Sequence, residues 1–169
     1  KREWENGIRQ GAKFQIKQFT EKKDVPHGPY WYPNVDACYA LMMHSAGEIL
    51  ENNRYKELAL KRIIGIKNKV YPDGGMPYLG LSNEQPSYHA ITMRHLVRYW
   101  QLTKNEDVYE LIQSTVPYYP LSIEPGGVPE CSSSPFWKQR WDIILPMDPE
   151  IIAGVTGEGL RQHQNDQKR

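Results

Sequence analysis

Tyr88 and His89 stand side by side, shortly after Asn83 and Glu84. A phenol and an imidazole are the side chains that move protons near neutral pH, the phenol only when a nearby Arg or His⁺ lowers its pKa from about 10. Two other stretches share this mixture of rings and polar groups. One holds His27, Tyr30, Trp31, Asn34 and Asp36, and the other Trp137, Arg140, Trp141 and Asp142. The whole chain has 5 Trp and 11 Tyr against 3 Phe, so most rings carry a polar edge. Rings among hydrogen-bonding groups suit a sugar, whose C–H face packs on an aromatic plane while its hydroxyls find polar partners.

Charge and composition narrow the alternatives. With 169 residues, the chain is one domain's worth, and 21 Lys+Arg against 20 Asp+Glu leave a formal charge of +1. That balance gives no electrostatic case for nucleic acid or an anionic membrane as partner. The apolar runs are far shorter than the roughly 20 residues a spanning helix needs. No charged n-region with an apolar h-region stands at Lys1, so a signal peptide is expected to be removed or never present. Cys38 and Cys131 have no C-x-x-C spacing, which favours free thiols, with a disulfide as the other option. No spacing of His, Cys, Asp or Glu argues for a metal, and no nucleotide, serine-hydrolase or zincin motif is present, so no cofactor is expected.

The elements that must position these residues follow from an internal repeat. Gly74-Gly75-Met76-Pro77 recurs 52 residues later as Gly126-Gly127-Val128-Pro129. Pro33-Asn34-Val35-Asp36-Ala37 falls 53 residues before Pro86-Ser87-Tyr88-His89-Ala90, and Asn52-Asn53 falls 53 before Asn105-Glu106. Apolar residues at spacings of three and four predict helices over about 34–52, 54–69, 87–103 and 106–119, with Asn34 as the first N-cap. Residues 4–22 read as an outer helix of a preceding unit. The Pro- and Gly-rich stretch 71–86 reads as a loop. The pattern is inner helix, outer helix and long loop, repeated. A helical region is expected over 1–156, with a further inner helix opening at Pro149, and a polar tail over 157–169.

Helical hairpins of about 50 residues with long aromatic loops resemble part of an (α/α) toroid, the barrel of many carbohydrate-active enzymes. Only about three hairpins are present, so the chain is expected to be part of a longer protein, with further domains, or a short arc whose open edge a partner covers. Asp73-Gly74-Gly75 followed by Asn83-Glu84-Gln85-Pro86-Ser87-Tyr88-His89 is similar to a stretch of the heparinase II/III and alginate lyase superfamily. The resemblance implies cleavage of a uronic-acid polysaccharide by β-elimination. It also implies Tyr88 as acid or base, His89 as a neighbouring base or substrate contact, and Asn34 as a catalytic-site residue. Asn83 and Glu84 would bind substrate, beside His27, Tyr30, Trp31, Trp137, Arg140 and Trp141. Where that superfamily opens the preceding inner helix with Asn-Asn-His, this chain has Asn34-Val35-Asp36, so the His is replaced and His27 is the nearest upstream imidazole.

Two other functions fit the same residues. A toroid glycoside hydrolase would use paired carboxylates from Asp36, Glu84 and Asp142. A non-catalytic carbohydrate-binding module would keep only the rings. The reading is thus an all-α protein of antiparallel helical hairpins whose partner is an acidic polysaccharide. A polymeric substrate places it outside the cytoplasm, extracellular or periplasmic.

Overall fold

The computed structural model describes residues 2–21, 32–78, 82–83 and 86–121. Its helices are α1 (Arg2–Glu21), α2 (Pro33–Ile49), α3 (Asn53–Lys67), α4 (Pro86–Thr103), α5 (Glu106–Ser114) and α6 (Tyr118–Leu121). Two short strands, β1 (Pro77–Tyr78) and β2 (Ser82–Asn83), pair antiparallel, with Pro77 opposite Asn83 and Tyr78 opposite Ser82. The described part is therefore mostly helical, and no described helix is long and apolar enough to cross a membrane.

The repeat is visible in the backbone. α2 and α4 begin at Pro33 and Pro86, and α3 and α5 at Asn53 and Glu106, each pair 53 residues apart. The intervening turns carry the two non-glycine residues of positive φ among those described, Glu51 (φ 53°) and Lys104 (φ 51°), again 53 apart. At the first turn the Asn52 amide donates to Gly47 O at 2.8 Å and the Glu51 amide to Glu48 O at 3.3 Å, the pairing that closes a helix on a left-handed residue. At the second, the Lys104 amide donates to Trp100 O at 2.7 Å, and the Asn105 side chain caps α5 by accepting from the Val108 amide at 3.3 Å.

Each hairpin is antiparallel. Lys56 of α3 reaches back to Glu48 of α2, and Arg62, further along, reaches Asp36 near the start of α2. Trp100 stacks near Tyr109, and Thr115 approaches Met93. The two hairpins pack through α2 and α4. Tyr32, one residue before α2, is linked through Tyr78 to Tyr88 in the first turn of α4, and His44 meets Tyr99 further along both helices. The inner helices therefore run in the same direction, with α3 and α5 behind them. Lys67, the last residue of α3, bridges to Asp107 at 2.8 Å and Glu110 at 2.6 Å in the first turns of α5, so the outer helices are staggered.

One core joins these layers. Ala37, Ala40, Met43 and Ala46 of α2 meet larger side chains, including Ile63 and Ile66 of α3, Met93, Leu96 and Tyr99 of α4, and Leu111 and Ile112 of α5. The small residues of α2 let both neighbours approach it, and α1 leans on the same core through Ala12, Ile8 and Ile16.

Three sequence expectations are corrected. The Tyr32 carbonyl accepts from the Val35 and Asp36 amides, which makes Tyr32 the cap and Pro33 the first helical residue, with Asn34 inside the helix. Residues 106–119 do not form one helix, because Pro117 has no amide to continue the ladder and disfavours helical geometry in Val116. α5 ends at Ser114 and a separate turn, α6, follows. The stretch 71–86 contains the small β1–β2 pair and a tight turn, in which the Asp73 carboxylate accepts from the Gly75 amide at 2.9 Å. Gly74, at φ +82°, lies against the Ser114 and Thr115 carbonyls, where a Cβ would come within 2.9 Å of both oxygens.

Candidate functional site

The shared direction of α2 and α4 brings their N-terminal ends together, and three tyrosines occupy that end. Tyr32 precedes α2, Tyr78 lies on β1 and Tyr88 lies on α4. Tyr78 stands edge-on to both neighbours, with ring centroids 5.5 Å from Tyr32 at 85° and 5.2 Å from Tyr88 at 65°. These edge-to-face spacings are the favoured ones for aromatic pairs. Tyr32 is exposed and Tyr88 half-buried, and Tyr78, which lies between them, is buried.

Behind it, His89 is 0% exposed. Its ring lies against Tyr118 of α6 at 4.4 Å and 31°. Burial drives its pKa down to about 3, opposed by the nearby Asp73 carboxylate, so the imidazole is neutral across the physiological range. Asp73 and His89, 16 residues apart in the chain, are thereby brought together, and the turn on which Asp73 sits is the one that Gly74 seats against α5.

At the matching place in the first hairpin, Asp36 is only 4% exposed. Nε and Nη2 of Arg62 both donate to its Oδ1 at 2.6 Å, and the guanidinium also lies 5.6 Å from the Tyr39 ring centre. Burial lowers the Arg62 pKa and the Asp36 charge works against that shift. The Asp36 carboxylate thus ties α2 to α3. Asn34 lies between Tyr32 and Asp36, partly buried, its Oδ1 enclosed and without a hydrogen-bond partner.

Of the residues singled out from sequence, Asn34, Asp36, Tyr88 and His89 are therefore placed at or beneath one end of the inner helices, and Asn83 lies on β2 opposite Pro77. His27, Tyr30, Trp31, Glu84, Trp137, Arg140, Trp141 and Asp142 lie outside the described residues, as do Cys131 and the segment 157–169. Cys38 is a free thiol whose Sγ lies 3.9 Å from Met42 Sδ, and burial raises its pKa. Among the described residues no group of three His, Cys, Asp or Glu could hold a metal ion.

Sequence reasoning missed Arg62 and Tyr118, and it placed Tyr32 and Tyr78 in cleft loops without singling them out. Tyr32 and Tyr78 were within reach, since each precedes an inner helix in an aromatic stretch. Arg62 and Tyr118 come from outer elements, with no local signal of where their side chains end.

Comparison with known proteins gives no match to a family model, to a curated protein or to a solved structure.

Proposed function

We propose that the chain is an arc of an (α/α) toroid that binds a uronic-acid polysaccharide at the tyrosine-bearing end of α2 and α4 and cleaves it by β-elimination. The observation that carries this reading is the Tyr32–Tyr78–Tyr88 cluster across the starts of two inner helices that run in the same direction. Exposed Tyr32 offers a face to the sugar, and half-buried Tyr88 is where the reacting atoms would lie. Side-by-side inner helices backed by outer ones support the toroid reading.

In the proposed step, a base takes the proton from C5, α to the uronate carboxylate. The electron pair forms the C4=C5 double bond, the C4–O bond breaks, and the leaving oxygen receives a proton. Tyr88 is assigned both transfers, as phenolate taking the C5 proton and then, as phenol, giving that proton to the leaving oxygen. Neutral, enclosed His89 is assigned a positioning role beneath Tyr88. Asn34, partly buried at the same end of α2, is assigned to the polar recognition of substrate. An extracellular or periplasmic setting fits such a polymer.

A second reading, binding without cleavage, is favoured by the burial of His89 and the commitment of Asp36 to Arg62, which leave Tyr88 as the accessible proton carrier among the described candidates. The same burial of Asp36 weighs against a hydrolase that uses it as one of two carboxylates.

The test is to incubate the chain and its Tyr88→Phe variant with a panel of uronic-acid polysaccharides, following the ultraviolet absorbance of the conjugated double bond. Absorbance that rises for the parent and is lost in the variant supports the lyase. New reducing ends without that absorbance move the case to hydrolysis. Retention on an immobilised polysaccharide with neither signal identifies a binding module.

A further inference from the structure

Helix α1 has two apolar faces. Ile8, Ala12 and Ile16 point to the core. Trp4, Gly7, Gly11 and Phe14, at spacings of three, four and three, form a second stripe about a third of the way round the helix. All four are exposed, Trp4 at 79% and Phe14 at 59%. A Cβ built on Gly7 or Gly11 would meet nothing within 4 Å, and a shallow groove lined by Glu3, Trp4, Gly7 and Ile8 runs beside them. Two large rings in water flanking two glycines make a face that another helix can approach closely.

We propose that a second copy of the chain docks here, α1 against α1 in antiparallel orientation. In an antiparallel two-fold pair, residues i and j face each other when i + j is constant. Trp4 with Phe14 and Gly7 with Gly11 give the same sum, so one axis satisfies all four contacts twice over. Each Trp4 then packs against Phe14 of the other copy, while the glycines bring the two backbones together at the centre. Charge selects the same orientation. Glu3 and Lys17 lie on one flank of the stripe at opposite ends of α1, so antiparallel copies, which bring identical flanks together, set Glu3 toward Lys17 of the second copy, whereas parallel copies place that flank on opposite sides of the seam and lose the pairing. Each ring buries about 150–250 Å² at most. The interface is thus at the small end of the specific range, and association depends on concentration.

The test is analytical ultracentrifugation of the 169-residue chain over a concentration series, with Trp4→Ala and Phe14→Ala as variants. The expected result is a monomer–dimer equilibrium that each variant weakens by about tenfold or more. At concentrations where the chain is monomeric, helicity and unfolding midpoint should be unchanged, because both rings stand in solvent in the single chain. Cross-linking reads the orientation. In a Cys38→Ser, Cys131→Ser background, Gly7→Cys chains mixed with Gly11→Cys chains should form the mixed disulfide, and neither should cross-link efficiently alone. A chain monomeric at every concentration, a dimer indifferent to both aromatic variants, or efficient disulfide formation by either the Gly7→Cys or the Gly11→Cys chain with itself would overturn the proposal.

Discussion

The two hairpins share a backbone plan and differ in what they enclose. Counting 53 residues forward from α2–α3 leads from Pro33 to Pro86, from Glu51 to Lys104 and from Asn52 to Asn105, so entry, left-handed turn and outer-helix cap all coincide. The same count leads from Asp36 and Arg62 to His89 and Thr115, from Gly65 to Tyr118, and from Gly47 and Lys56 to Trp100 and Tyr109. The first hairpin closes around a buried ion pair and a glycine contact. The second closes around a neutral imidazole stacked on tyrosine and a Trp–Tyr pair. A few turn and cap positions hold the hairpin geometry, while facing positions on its two helices change together. The candidate proton-transfer residues belong to the hairpin built around the neutral imidazole.

The contrast is sharpest at the ion pair. Arg62→Ala would leave the Asp36 charge buried, and is expected to cost about 3–5 kcal/mol in denaturant unfolding. Replacing both partners, Asp36→Leu with Arg62→Met, should recover most of that loss. If the single variant proves as stable as the parent, the pair does not hold the first hairpin.

For the second hairpin the signature is acid sensitivity. Unfolded, His89 protonates near its ordinary value of 6.5, whereas folded it does so only at about 3. Between those values the unfolded chain holds the extra proton, so stability falls as pH falls, by about 1.4 kcal/mol per pH unit for this one group. His44 and His95, also held below 6.5 by burial, add to the trend with the same sign. Urea midpoints measured from pH 7 down to pH 4 should drop, and His89→Phe, which keeps a ring on Tyr118, should flatten the curve. An unchanged slope in the variant would remove His89 from the explanation.

Closer to the turns the effects shrink. Gly47→Ala should destabilise by about 1–3 kcal/mol, since the added Cβ would lie 2.6 Å from Lys56 Cγ and 3.0 Å from the Asn52 carbonyl oxygen. Smallest are two stabilising changes. Glu51→Gly relieves a left-handed residue and should gain about 0.5–1 kcal/mol. Lys104→Gly should gain less, because it gives up the ammonium contact 4.1 Å from the Trp100 ring centre. Thermal unfolding of the two variants side by side reads the difference.

Much of the fold was legible from the sequence because the repeat is written in Pro, Gly and Asn, residues whose backbone preferences act locally. Helix starts near 33, 53, 86 and 106 follow from them. The end of α5 could also have been read, since Pro117 stands in plain view, but the apolar spacing through Tyr119 masked it. Two-residue strands have no periodicity to detect. Asn34 resembles a cap by composition, yet Pro33 already supplies the first helical residue and Tyr32 the accepting carbonyl. At the candidate site, Tyr88 and His89 stood out by chemical type. What encloses His89 comes from Tyr118, 29 residues on, and what engages Asp36 comes from Arg62, 26 residues on, and such pairings are decided only when helices pack.

Gly74 ties these levels together. The loop leaving α3 crosses to the far end of α5 and rests on two carbonyls there, while Lys67 grips the near end of the same helix. α5 has only nine residues, too few to persist alone, yet one end is fastened to the last residue of α3 and the other to the loop that follows it. The two hairpins are thereby joined into one cooperative unit. Backbone amides of α5 should exchange with solvent as slowly as those of α2, through global unfolding rather than by fraying of the second hairpin.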